Sequence, residues 1–91
     1  MLCKDGLGRE CEAWQIPPSG ERAREEVPGW LVRGITDRTI RFNLLGGLSL
    51  HDGDGALTSS SLPGDYLVRD CEDDGLTFWD TEAFRNVHTH H

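Results

Sequence analysis

The segment Pro63-Gly64-Asp65-Tyr66-Leu67-Val68-Arg69-Asp70, with the break Cys71-Glu72-Asp73-Asp74 and then Gly75-Leu76-Thr77-Phe78-Trp79, decides how this chain folds. It spells turn, strand, turn, strand. Proline presets the backbone for a tight turn, Gly64 tolerates a positive φ, and Asp65 can hydrogen-bond the turn backbone. Tyr66 and Val68 then fall on one face of a strand, because side chains alternate along extended chain. After residues 76–79, Asp80 or Thr81 can cap a closing helix in which Phe84 and Val87 share a face. Turn chemistry and packing account for every residue type here without invoking catalysis.

Working outward, residues 38–44 alternate, with Ile40, Phe42 and Leu44 on one side and Thr39, Arg41 and Asn43 on the other, as expected of a half-buried strand. Gly46-Gly47 turns the chain into a partner strand at 48–51. Asp52-Gly53-Asp54-Gly55 turns it again into a polar strand at 56–60 of the kind found at sheet edges. Upstream, residues 11–16 alternate weakly, with Cys11, Ala13 and Gln15 opposed to Glu12, Trp14 and Ile16, and Pro17-Pro18 ends that strand. Ser19 is placed to cap a helix over residues 20–26, which Pro28-Gly29 breaks or restarts ahead of Trp30, Leu31 and Val32. Trp30 and Leu31 are expected to dock on Ile40, Phe42 and Leu44.

The predicted fold is one small α+β domain spanning residues 1–91. It has an antiparallel sheet of about five strands, open or curled toward a barrel, one packed helix and a short C-terminal helix, with residues 1–9 and 89–91 flexible. Ninety-one residues with 36% apolar content and 11 glycines suit an economical core and many turns.

The order Glu12-Ala13-Trp14-Gln15, a helix leading to Trp30-Leu31, Pro63-Gly64-Asp65-Tyr66-Leu67-Val68, Phe78, then Asp80 with Phe84 resembles a group of small phage and prophage proteins of unknown function. Those begin with a Glu-Ala-x-Gln strand and end with a Pro-Gly-Asp-aromatic strand, a Gly-Glu-aromatic strand and an Asp-x-x-Phe helix. The likeness spans roughly residues 10–88. It departs at Gly75-Leu76, where the group has Gly-Glu, and at His88, near the place of a frequent tyrosine. It implies a viral accessory or structural protein and transfers no catalytic residue.

Charge is the other informative feature. Residues 1–45 carry seven basic and seven acidic side chains, whereas residues 46–91 carry nine acids against Arg69 and Arg85, so the net charge of −7 belongs to the second half. That surface repels phosphates and anionic lipid, so neither nucleic acid nor membrane is an expected partner. A basic surface on a host or viral protein is, and Asp65, Asp70, Glu72, Asp73, Asp74 and Glu82 are the candidate contact residues. A virion component and an acidic, DNA-mimicking inhibitor of a host nucleic-acid enzyme or defence complex are the competing readings.

Enzymatic, metal and cofactor chemistry are not expected. For a calcium loop with Gly55 sixth, the first ligand would be Leu50 and the twelfth Ser61, which fails. Cys3, Cys11, Cys71, His88, His90 and His91 match no zinc spacing. His51 beside Asp52 and Asp54 lies in a turn, and Cys71 between two acids is poorly set as a thiolate nucleophile. Gly46-Gly47 lacks the rest of a phosphate loop, and Arg38-Thr39-Ile40-Arg41-Phe42 reads as strand, not as an RNA platform. An odd number of cysteines without a Cys-x-x-Cys pair suggests free thiols. With no long apolar stretch, a cytoplasmic location is expected.

Overall fold

The computed structural model describes residues 1–18 and 26–90. Most of the helix expected over residues 20–26 lies outside the described residues. Chain order runs β1 (Leu2–Lys4), β2 (Glu10–Gln15), α1 (Gly29–Thr36), β3 (Ile40–Phe42), β4 (Leu48–His51), β5 (Leu57–Ser60), β6 (Tyr66–Asp70), β7 (Leu76–Trp79), α2 (Thr81–Val87) and β8 (Thr89–His90).

Three hairpin loops, residues 5–9, 43–47 and 52–56, are built alike. The side chain of Asp5, Asn43 or Asp52 accepts the N–H groups of the third and fifth loop residues at 2.9 or 3.0 Å. Its own carbonyl accepts the N–H of the fourth residue, which is Gly8, Gly46 or Gly55 with φ of 80, 87 or 86°. Only glycine holds that left-handed conformation without a steric penalty, so Asp/Asn-x-x-Gly sets both loop and register. At Pro63-Gly64, the Asp65 N–H donates to Leu62 O at 3.2 Å and Gly64 has φ 92°, the geometry of a type II turn. The Asp65 carboxylate also accepts the Leu62 N–H at 2.9 Å.

The antiparallel strands form two open sheets, of order β7-β6-β2-β1-β8 and β3-β4-β5, where a single sheet or barrel was expected. The division follows from a non-local pairing: β2 takes β6 as its neighbour, from Cys11↔Asp70 to Gln15↔Tyr66. The β3–β5 meander therefore forms separately. Its outer strand β5 is exposed throughout and ends the sheet with polar residues.

Both faces of the larger sheet are covered. One bears Trp14, Ile16 and Leu67, packed with Leu31 of α1 and with Ile40, Leu48 and Leu50 of the smaller sheet. The other bears Cys3, Cys11, Ala13, Tyr66 and Val68 beneath Phe84 of α2. The alternation read for residues 11–16 thus places side chains as expected, on a central strand buried from both sides. Phe84 is fully buried and stacks on Tyr66 with ring centroids 3.9 Å apart. Asp80 caps α2, its carboxylate accepting the Ala83 N–H at 2.7 Å.

Leu2–Lys4 and Thr89–His90, within the ends expected to be flexible, pair as sheet strands, and Cys3 is buried in the core. One expectation about the core is corrected. Phe42 and Leu44, expected in the core, are 72% and 105% exposed, whereas Ile40 is buried. Alternation puts Ile40 and Phe42 on one face, but the helix covers only the Ile40 end, where Gly34 lies so close that a Cβ there would sit 2.7 Å from Ile40 Cγ1. Leu31 is fully in the core, and half-buried Trp30 packs against the cluster that holds Leu31 and Ile40, as expected of its docking.

Candidate functional site

The six candidate carboxylates separate into two groups at opposite ends of β6. Asp65 precedes the strand, and Glu82 lies beside that end, since Tyr66 pairs with Trp79 and the Thr81 hydroxyl donates to Gly64 O at 3.0 Å. Asp70, the last residue of β6, and Glu72, Asp73 and Asp74 of the β6–β7 loop lie at the other end. Five residue-to-residue steps of extended chain lead from Asp65 to Asp70, about 16 Å at roughly 3.3 Å per residue.

The loop is held by its own acids. The Asp70 carboxylate accepts the Glu72 N–H at 2.8 Å, that of Asp73 accepts the Gly75 N–H at 2.7 Å, and Asp74 adopts φ 60°. Two of the four also meet cations. Arg9 Nη1 lies 3.6 Å from Asp70, and Arg69 Nη1 lies 2.6 Å from Asp74. Exposed Glu72 and Asp73 project the loop's remaining negative charge.

A concavity flanks this loop on each face of the sheet. On the α2 side a cavity of about 310 Å³ is bounded by Arg9, Cys11, Asp70, Asp73, Trp79 and His88 among others. His88 is buried and stacks on Phe84 with centroids 4.6 Å apart, with Trp79 edge-on at 4.7 Å. Asp5 also lines this cavity. The Arg9 amide, the Leu7 amide and the Arg9 guanidinium together hold its carboxyl below the ordinary range.

On the opposite face a concavity of about 420 Å³ lies among Trp30, Arg33, Asp37, Arg69 and Asp74. Here Trp30 Nε1 donates to Glu12 at 2.6 Å, and the Arg69 guanidinium lies 5.9 Å from the centre of the Trp30 ring, a cation–π arrangement. Arg69 also lies 3.6 Å from Glu12. The network ties α1 to the central strands and fixes one wall of the concavity.

Of the catalytic and metal candidates, the structure brings Cys3 and Cys11 together, with His90 opposite Cys3 in the β1–β8 pair. His51 Nδ1 lies 3.2 Å from Gly55 O, and Asp52 is committed to its loop. Cys71 is exposed, whereas Cys3 and Cys11 are buried and face each other with Sγ atoms 2.8 Å apart. Among the described residues, no group of three or more His, Cys, Asp or Glu side chains is arranged to hold a metal ion, and no helix is long and apolar enough to cross a membrane. Sequence reading missed Arg9, Cys11, Trp79 and His88 as lining residues. For Cys3 opposite Cys11 the signal was present, since the Asp5-x-x-Gly8 loop sets that register. No family model, curated protein or solved structure matches the chain.

Proposed function

We propose that this chain is a non-enzymatic phage or prophage accessory protein that binds a basic surface of a host or viral protein through the acidic β6–β7 loop. One observation carries this reading: Glu72 and Asp73 project from a loop braced by Arg9 and Arg69 and flanked by a concavity on each face. Exposed like-sign charge steers association and selects partners of opposite sign. The concavities supply the desolvated pockets in which a partner's anchoring side chains gain most of their energy. An inhibitor that imitates DNA needs a longer continuous acidic face, and the division of the six carboxylates between two ends of β6 does not favour it.

The test is affinity capture from host lysate with the wild-type chain, a Glu72→Arg/Asp73→Arg variant and a Glu82→Arg variant. A stoichiometric partner retained by wild type and Glu82→Arg, lost by the double variant and released by rising salt is the expected result. Failure of wild type to recover any stoichiometric partner overturns the reading. Self-association in sedimentation with no other partner favours the virion-component alternative.

A further inference from the structure

Cys3 and Cys11 stand directly opposite each other in the β1–β2 pair. Along this ladder the Asp5 N–H donates to Arg9 O, and the Ala13 N–H donates to Met1 O. Every second pair is thus a hydrogen-bonded one, and the two cysteines belong to that class, for which Cα atoms lie about 5.5 Å apart. That is close to the commonest separation in disulfides, about 5.5–6 Å. The sulfurs are already 2.8 Å apart, and closing a bond draws the two Cβ atoms inward by about 1 Å, from the roughly 5.5 Å of a hydrogen-bonded pair to the roughly 4.5 Å a disulfide spans. Access is one-sided: Cys11 lines the cavity of about 310 Å³, whereas Cys3, fully buried on the neighbouring strand, does not.

We propose that Cys3 and Cys11 are a reversible dithiol–disulfide pair that locks the β1–β2 hairpin, oxidised by small-molecule disulfides entering through the cavity at Cys11. In the first step the Cys11 sulfur, giving up its proton, attacks a disulfide RS–SR. A Cys11–S–SR bond forms, the RS–SR bond breaks, and the departing sulfur takes a proton to leave as RSH. In the second step the Cys3 sulfur attacks Cys11 Sγ, expels the second RS group as RSH and closes the protein disulfide. Two thiols are oxidised by two electrons and one small disulfide is reduced to two thiols, with both protons carried away. Burial pushes both thiols up, Cys11 to about 12, so thiolate is scarce near neutral pH and the exchange is slow.

The consequence reaches beyond the hairpin. Strand β1 is three residues long, and it carries β8 on its outer side. A bond from Cys3 to Cys11 therefore fastens the outer strands of the larger sheet to its centre. The inference stands apart from the partner-binding role and needs no partner.

The experiment uses Cys71→Ser, which removes the exposed thiol, incubated natively with bis(2-hydroxyethyl) disulfide, then denatured, alkylated and weighed by mass spectrometry. The expected product has lost two hydrogens and takes no alkyl group. Trypsin, cutting after Lys4 and Arg9, should show one Cys3–Cys11 link, and the melting temperature should rise and return to its starting value with dithiothreitol. Two alkylated thiols, a persistent hydroxyethylthio adduct, or an oxidised product that melts no higher would overturn the proposal. So would a wild-type map in which Cys71 replaces Cys3 in the link.

Discussion

Gly47→Ala should be strongly damaging. Gly47 does not need a positive φ, so the effect is steric: an added Cβ would sit 2.7 Å from the Ser61 carbonyl carbon, 3.1 Å from Leu62 Cα and closest of all to Ser61 O. These are backbone atoms, and no side chain can turn away to relieve them. Ser61 is fixed in turn, because its N–H donates to Leu48 O at 2.9 Å, its hydroxyl accepts the Leu48 N–H at 3.0 Å, and its carbonyl accepts from Asn43 Nδ2 at 2.9 Å. Overpacking of a tight site costs roughly 1–3 kcal/mol, and losing the Asn43–Ser61 bond adds about 1 kcal/mol. A loss of about 3 kcal/mol lowers the melting temperature of a domain this size by roughly 12–24 °C. Gly53→Ala is the control, since a Cβ there meets nothing within 4 Å, and it should be neutral or stabilising by about 0.4–1 kcal/mol. Thermal and urea unfolding of both variants measure the difference. If Gly47→Ala stays within the roughly 0.5 kcal/mol typical of surface changes, the close approach of the β3–β4 loop to residues 61–62 is wrong.

Arg38 follows α1 with φ 66°, so Arg38→Gly should relieve part of a strain of roughly 1–2 kcal/mol and raise the melting temperature by a few degrees; a lower value would count against that backbone. Phe84→Ala removes the ring that stacks on Tyr66 and His88 and should cost about 3–5 kcal/mol by chemical denaturation, so a small loss would remove α2 from the second core. Alkylation should modify exposed Cys71 first, and the Cys11 rate should climb about tenfold per pH unit as pH approaches its raised pKa of about 12. The folded chain holds that proton where the unfolded chain has released it, so the associated stability is complete below the ordinary thiol pKa and declines as pH rises toward 12, measurable in alkaline melts.

Local structure was legible because its causes are local. Asp52-Gly53-Asp54-Gly55 and Pro63-Gly64-Asp65 carry their turn geometry in their own side chains, and the alternation of residues 11–16 and 66–69 sorted side chains to the faces they occupy. The Asp5 and Asn43 loops set Cys3 against Cys11 and Ile40 against Leu50, pairings the sequence reading did not make because it left residues 1–9 flexible and ran the strand on to residue 44; beyond the Asp52 loop the register shifts. Tertiary structure decided everything that depends on residues far apart. Pairing of β2 with β6 splits the strands into two sheets, brings Arg9 to Asp70 and makes Cys11 a wall of the cavity on the α2 side. The same limit explains Phe42: periodicity tells which residues share a face, but whether that face is covered depends on where α1 ends. For the acids, composition located the charge in the second half of the chain, and the course of β6 divided it between two ends.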